Sequence, residues 1–309
     1  MIAAAMVGLG RWGRSLMEAA KHSERIRFAR TADPLEGTRL EDVLRDQSVQ
    51  AVVLATPHSL HREQAIAAAQ AGKHVFCEKP LALHLADAQA MLAACRDAGV
   101  VLAVGHNRRF WPAMQALKRI VDSGDLGELL HVEGHNSNEN SNRVTGGWRT
   151  LEAESPGGGF TGAGLHALDA MIMLCGPVRR VSAQLLKFRE QIPPLDAMSA
   201  LYEFASGASG TLATVRATPF YWRVHAFGSN GSAEVLGESE LLLRLAGKPQ
   251  QKIVFDTGNS LRAELEAFAD AAEGVAPYPI TPEQILATVG AFEATVDAIR
   301  GQDRNQLRS

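Results

Sequence analysis

The sequence predicts an α/β domain built on a parallel sheet, followed by an α+β domain whose sheet is mainly antiparallel. Three observations carry that expectation. A chain of 309 residues, 46% of them apolar, exceeds what one hydrophobic core usually holds. Its first third alternates short apolar runs with alanine-rich helical stretches, the pattern of parallel strands joined by crossover helices. From about Leu129 the pattern changes to short β-forming runs punctuated by Gly, Ser and Asn, several alternating in polarity, as in Thr211-Leu212-Ala213-Thr214-Val215-Arg216. The boundaries expected on this basis are 1–123 and 124–309.

In the first domain the apolar runs place strands at 2–7, 26–32, 51–55, 74–77 and 100–104. Helices follow at 62–71 and 85–98, with Gly72 and Gly99 positioned as C-caps. In the second domain strands are expected at 181–188, 199–204, 211–217, 223–227 and 241–245, with turns at Ser206-Gly207-Ala208 and Asn230-Gly231. Two helices close the chain, at 261–273 and 282–300. The second opens with Thr281 as N-cap, Pro282 at the first helical position and Gln284 completing a capping box.

Composition excludes several function classes. A net charge of −3, from 31 basic and 34 acidic residues spread along the chain, offers no attraction for nucleic acid or an anionic membrane. No apolar run approaches the roughly 20 residues that cross a bilayer. The apolar N-terminus has no basic residue before it and runs straight into Gly8, so it reads as a strand and not as an export signal. Cys77, Cys95 and Cys175 form no CxxC pair, which points to a reducing, cytoplasmic setting.

Gly8-Leu9-Gly10-Arg11-Trp12-Gly13 is a GxGxxG sequence, weak alone but placed between an apolar strand and a helix-like segment. There its glycines allow a tight turn and close approach of a pyrophosphate, and the helix N-terminus favours the anion. Asp33, ending the second strand, suits hydrogen bonds from ribose hydroxyls and would repel a 2′-phosphate, so NAD is expected over NADP. Arg30 and Arg39 stand close enough to leave NADP open, and an ordinary cap before Pro34 is the alternative for Asp33.

At Gly72-Lys73-His74-Val75-Phe76-Cys77-Glu78-Lys79-Pro80 the sequence resembles the signature of the glucose-fructose oxidoreductase, inositol dehydrogenase and rhizopine catabolism (Gfo/Idh/MocA) family. Further matches are Ala55-Thr56-Pro57 with His61, the run Gly105-His106-Asn107-Arg108-Arg109-Phe110, and Gly157-Gly158-Gly159 leading to Gly164-Leu165-His166 and Asp169. The resemblance implies a Rossmann domain joined to an open-faced antiparallel sheet, and the exposed face of such a sheet suits self-association into a homo-oligomer. It implies that Lys79 stands beside the nicotinamide as acid–base group, with His166 completing the site, and that Thr56, Pro57, His58, His61 and Glu78 lie along the cofactor. General acid–base chemistry agrees, since oxidising a hydroxyl needs a group that takes its proton. A solvated turn lysine and a core histidine are the alternatives for Lys79 and His166.

Two departures from the family pattern stand out. Gly162 occupies the place, four residues before His166, where many relatives carry an aspartate that would orient the imidazole. Between Asp33 and Ala51 the chain has room for one crossover only, with a helix at 39–46, so the sheet is expected to lack one strand–helix unit. Asn107, Arg109 and Asp169, together with Trp148 and Arg149 beside the Asn/Ser-rich segment at 136–142, are the candidate substrate contacts. His58 and His61 have a metal-like spacing but no accompanying carboxylate or cysteine cluster, so no metal is expected.

The expected function is hydride transfer between NAD(P) and a hydroxyl or carbonyl of a sugar, polyol or related molecule. The alternatives are a dinucleotide-binding sensor or partner subunit without net redox turnover, and a cofactor-retaining enzyme that cleaves glycosides.

Overall fold

The computed structural model of the chain describes residues 1–138, 147–189, 195–216 and 218–302. It packs as two units, 1–107 with 259–289, and 108–258 with the remainder from 290. Residues 108–123, which the sequence pattern attaches to the first domain, pack with the second, and 259–289 return to the first.

The first unit is a five-stranded parallel sheet. Its strands are β1 (Ile2–Val7), β2 (Ile26–Ala32), β3 (Ala51–Leu54), β4 (His74–Glu78) and β5 (Leu102–Gly105), in the order β2-β1-β3-β4-β5. Every residue of β1, β3 and β5 is buried, as expected of parallel strands covered on both faces, which is why they read as apolar runs without alternation. The helices are α1 (Arg11–Ala20), α2 (Leu40–Arg45), α3 (His61–Gln70) and α4 (Leu85–Asp97). Gly72 and Gly99 take left-handed φ values of 70° and 67° just past α3 and α4, the role expected of them. Only a 3-10 turn at Pro34–Glu36 and the short α2 fill the interval from β2 to β3. The missing strand–helix unit is thereby borne out, and β2 is left as the sheet edge.

In the second unit α5 (Pro112–Asp122) precedes an eight-stranded sheet, β6 (Leu129–Ser137), β7 (Val178–Arg189), β8 (Leu195–Phe204), β9 (Ser209–Val215), β10 (Tyr221–Gly228), β11 (Gly231–Leu236), β12 (Glu240–Leu245) and β13 (Gln251–Val254). The order is β13-β12-β11-β10-β6-β9-β8-β7, antiparallel except where β6 runs parallel to β9. Strands β6, β11 and β13 were not individually expected. The parallel β6–β9 pair is a long-range relation that no local turn announces.

Helix α6 (Leu165–Cys175) lies on β6, β9 and β10 and is buried along almost its whole length. Gly134 and Gly210 make this close packing possible: a Cβ at either would come within 2.8 Å of the Met171 side chain. Helix α7 (Ser260–Ala272) packs in the first unit against α1, β2 and β4. Helix α8 (Pro282–Gln302) starts as expected, with Gln284 N donating to Thr281 Oγ1 at 3.3 Å.

Candidate active site

The glycine loop is shaped for a ligand. Gly8 has φ +94°, and a Cβ there would lie 2.7 Å from the Ala55 carbonyl oxygen. Gly13 packs so tightly on the Gly8 carbonyl that no side chain fits. Gly10 differs from both: it caps α1 in an extended conformation, and nothing lies within 4 Å of where its Cβ would be. No side chain caps α1 and its first turn carries no acid, so the helix start, with Arg11 exposed beside it, is open to an anion. The Trp12 Nε1 donor is buried with no hydrogen-bond partner among the described residues. These features fit the pyrophosphate of a dinucleotide, whose nicotinamide supplies the hydride donor or acceptor when bound.

Asp33 already has two partners. Its Oδ2 accepts from Leu9 N at 2.7 Å and its Oδ1 from Leu35 N at 2.9 Å, so the carboxylate ties the glycine loop to the end of β2 and caps the 3-10 turn. Both oxygens retain acceptor capacity for a ribose hydroxyl. Arg30 and Arg39 are engaged in exposed pairs with Asp46 at 2.8 Å and Glu41 at 3.2 Å.

Thr56 and Pro57 follow β3, and Thr56 Oγ1 donates to Gln64 Oε1 at 2.6 Å. His61, expected along the cofactor, is fully buried at the start of α3 and braces the neighbouring loops. Its Nδ1 lies 3.0 Å from the Pro80 carbonyl and its Nε2 lies 3.2 Å from the Thr56 carbonyl, which fastens the loops after β3 and β4 together. The His58 ring meets His61 edge-on at 5.7 Å. No cluster capable of holding a metal occurs among the described residues.

Lys79 emerges at the carboxyl end of β4, partly exposed, before a cis peptide to Pro80. Its backbone N donates to Glu78 Oε2 at 3.3 Å, and Glu78 is buried over Gly105, where a Cβ would lie 2.8 Å from Oε1. The glycine loop and Lys79 thus both follow strands of one parallel sheet at their carboxyl ends, where open α/β sheets bind ligands. Asn107, expected at the substrate, donates through Nδ2 to Ser260 Oγ at 3.2 Å, pinning the start of α7.

In the second unit His166 sits near the start of α6, 7% exposed. The stretch before it, Phe160–Gly164, is a π-helical turn and not the regular helix that the Gly162–His166 spacing assumed. Buried side chains hold it: Asn136 Nδ2 donates to the Ala163 carbonyl and Thr161 Oγ1 to the Pro156 carbonyl. Gly162 faces open space. Asn136, at the start of the Asn/Ser-rich segment, thus braces this turn from within β6, while residues 139–142 lie outside the described residues.

Arg109 and Asp169, also expected at the substrate, bind each other through two 2.7 Å contacts, both side chains buried. Both carboxylate oxygens of Asp169 thus accept from one guanidinium. Arg149 lies 4.0 Å over the Trp148 ring, covering one face of the indole that was expected to meet a sugar.

Asp196 and Glu264 are buried acids that escaped the sequence reading. Asp196, 0% exposed on β8, accepts from Gly159 N at 3.1 Å and pairs with Arg216 at 3.4 Å, holding the Gly157-Gly158-Gly159 loop. Burial raises its proton affinity, against the pull of Arg216 and the Gly159 amide. Glu264 on α7 is also fully buried, and burial, with the Glu78 charge added, raises its proton affinity well above the ordinary carboxyl range. Its only signal was an acid at an apolar position of a helical repeat, legible solely once the buried face of α7 is known.

The comparisons with known proteins agree with this architecture. Residues 2–106 match the model of an oxidoreductase family with an NAD-binding Rossmann fold, and residues 114–234 match the GFO/IDH/MocA C-terminal domain. The chain belongs to the Gfo/Idh/MocA family. Among Gfo/Idh/MocA proteins it is 29% identical to the rhizopine catabolism protein MocA of Rhizobium meliloti, over 95% of this chain and 94% of MocA. It is 31% identical to a 2,7-anhydro-N-acetylneuraminate hydratase of Mediterraneibacter gnavus, over 56% of this chain and about half (49%) of that protein. The aldose-aldose oxidoreductase of Caulobacter crescentus, solved with glycerol, superposes with a TM-score of 0.85 at 25% identity, covering 97% of this chain and 98% of that one.

Proposed function

We propose that this Gfo/Idh/MocA protein transfers a hydride between a nicotinamide and a hydroxyl or carbonyl carbon of a sugar, polyol or related small molecule. The observation that carries the reading is Lys79 at the end of β4, at the same carboxyl end of the sheet as a glycine loop that no side chain caps. Lys79 takes the hydroxyl proton as the hydride leaves carbon, and His166 assists. Gly8, Gly10, Arg11, Trp12 and Gly13 hold the pyrophosphate, Asp33 the ribose of NAD, and Thr56, Pro57, His58 and Glu78 shape the nicotinamide end. NADP is the competing cofactor. Trp148 and Arg149 remain candidates for the substrate rim.

We further assign the first unit to the cofactor and the second to substrate and self-association, in a cytoplasmic protein. Leu186 and Leu201 support the self-association. They are 48% and 62% exposed and share one face of the β7–β8 pair, since Ser182 pairs with Leu201. No helix among the described residues is long and apolar enough to cross a membrane.

A second reading, in which the cofactor stays bound and no net redox change results, is favoured by the relative named as a hydratase. The deciding experiment follows nicotinamide absorbance with NAD and NADP across sugars, polyols and hydroxy acids. Turnover with exchange of free cofactor supports the first reading. Bound cofactor surviving purification, with product formed and no net absorbance change, supports the second.

A further inference from the structure

One face of α7 is a ladder laid along the ends of β4 and β5. Ser260, Glu264 and Phe268 are spaced by four residues and share that face. Ser260 accepts from Asn107, just beyond β5, and Phe268 meets Phe76 of β4 edge-on, with ring centroids 5.7 Å apart. Phe76 and Glu78 point to the same side of β4, since side chains alternate along a strand. With the rungs above and below it fixed, Glu264 faces the Glu78 end of the strand, and Glu78 and Lys79 are the two charged groups whose fields reach it.

Glu264 does not behave as a filler of the core. It is 0% exposed, and neither carboxylate oxygen has a hydrogen-bond partner among the described residues. An ionised carboxylate in that position would carry a heavy desolvation cost, and two neighbouring buried carboxylates cannot both ionise cheaply. On its other side Glu78 is held over Gly105, its cross-strand partner, and bonded to the Lys79 amide. The other ionic groups around α7, Arg25 with Asp270 and Glu273, lie beyond Phe268, and Arg262 is bonded to the Ala19 carbonyl.

We propose that Glu264 is a positioning residue for Lys79: as a buried, neutral carboxylic acid it leaves the one negative charge of the two acids on Glu78, beside the lysine ammonium. The assignment rests on the reading of Lys79 as the acid–base group. Proton balance is simple. The two carboxyl groups hold one proton, on Glu264, and Lys79 exchanges its own proton with substrate or water. With an apolar side chain in place of that neutral polar neighbour, Glu78 takes up a proton itself to relieve its burial, and the lysine loses its counter-charge.

The test needs no turnover. Trace acylation of the intact protein with acetic anhydride across pH, read at Lys79 by mass spectrometry, gives the titration midpoint of that amine. Glu264→Leu should lower the midpoint by about one unit, a tenfold rise in neutral lysine at a given pH. Glu264→Gln, which keeps a neutral donor, should restore it. A folded Leu variant with the wild-type midpoint, or a Gln variant displaced as far as Leu, overturns the proposal. Should the Leu variant fail to fold, infrared spectroscopy decides: the carbonyl stretch of a protonated buried acid must appear in the wild type at neutral pH and vanish in Glu264→Gln, and its absence from the wild type overturns the neutral acid and with it the proposal. Turnover surviving in Lys79→Ala would instead remove the catalytic reading, while leaving the measured coupling of Glu264 to Lys79 intact.

Discussion

Arg109 grips Asp169 through both ends of its guanidinium fork, Nε and Nη2 each 2.7 Å from a carboxylate oxygen, and both side chains are buried. Such a pair gains little over apolar packing, but breaking it leaves one charge stranded. Arg109→Met should therefore cost about 3–5 kcal/mol in urea unfolding, and Arg109→Met with Asp169→Leu should cost clearly less. Equal losses in the single and double variants would show that the pair is not coupled.

The glycine loop separates folding from binding. Gly10 has φ −65° and open space at its Cβ position, so Gly10→Ala should keep the wild-type thermal midpoint. The added methyl sits where the pyrophosphate approaches, and NAD affinity should fall about tenfold or more, equivalent to about 1.4 kcal/mol. Gly13→Ala, by contrast, forces a methyl onto the Gly8 carbonyl and should lose stability as well. Thermal melts beside a cofactor titration distinguish the two, and unchanged affinity in Gly10→Ala would place the cofactor elsewhere.

Lys79→Ala should lower kcat by roughly 10²- to 10⁴-fold, the usual worth of general acid–base assistance, with cofactor affinity nearly unchanged. Loss of cofactor binding in proportion to activity would recast Lys79 as a cofactor clamp.

Gly162→Asp should fold like the wild type, because nothing lies within 4 Å of the new Cβ. If His166 lacks an orienting acid, kcat should rise by about tenfold or more, towards the lower end of general acid–base effects. A fall in kcat at unchanged thermal midpoint would mean that the open space at Gly162 serves the substrate.

Cys77, Cys95 and Cys175 are all buried, and burial pushes the Cys95 thiol up to about 11 and the Cys175 thiol to about 12, from an ordinary value of 9.0. An alkylating reagent at pH 8 should label none of them until the chain unfolds. The raised folded values also set a sign: the thiols' contribution to stability is whole below pH 9 and is lost as pH rises towards 11–12, because the unfolded thiols ionise first. Denaturant midpoints measured from pH 8 to 11 should fall, and labelling of the native protein at pH 8 would contradict the burial.

The sequence by itself determined what local pattern can encode. The apolar runs gave β1 and β2 to the residue, the glycines at 72 and 99 ended their helices, and the short interval after Asp33 foretold the missing strand–helix unit. The motif glycines were legible because a tight turn before a helix start imposes fixed residue types at fixed spacing, whereas Lys79 was singled out by the resemblance of the segment around it to the family signature. Tertiary structure decided the rest. Arg109 with Asp169, Asn107 with Ser260, Asp196 with Gly159 and His61 with Pro80 are partners far apart in the chain, and a polar side chain carries the same chemistry whether it meets a ligand or another part of its own fold. Only packing shows which residues are already bonded, and only the buried face of α7 distinguishes Glu264 from the exposed acids of an ordinary helix.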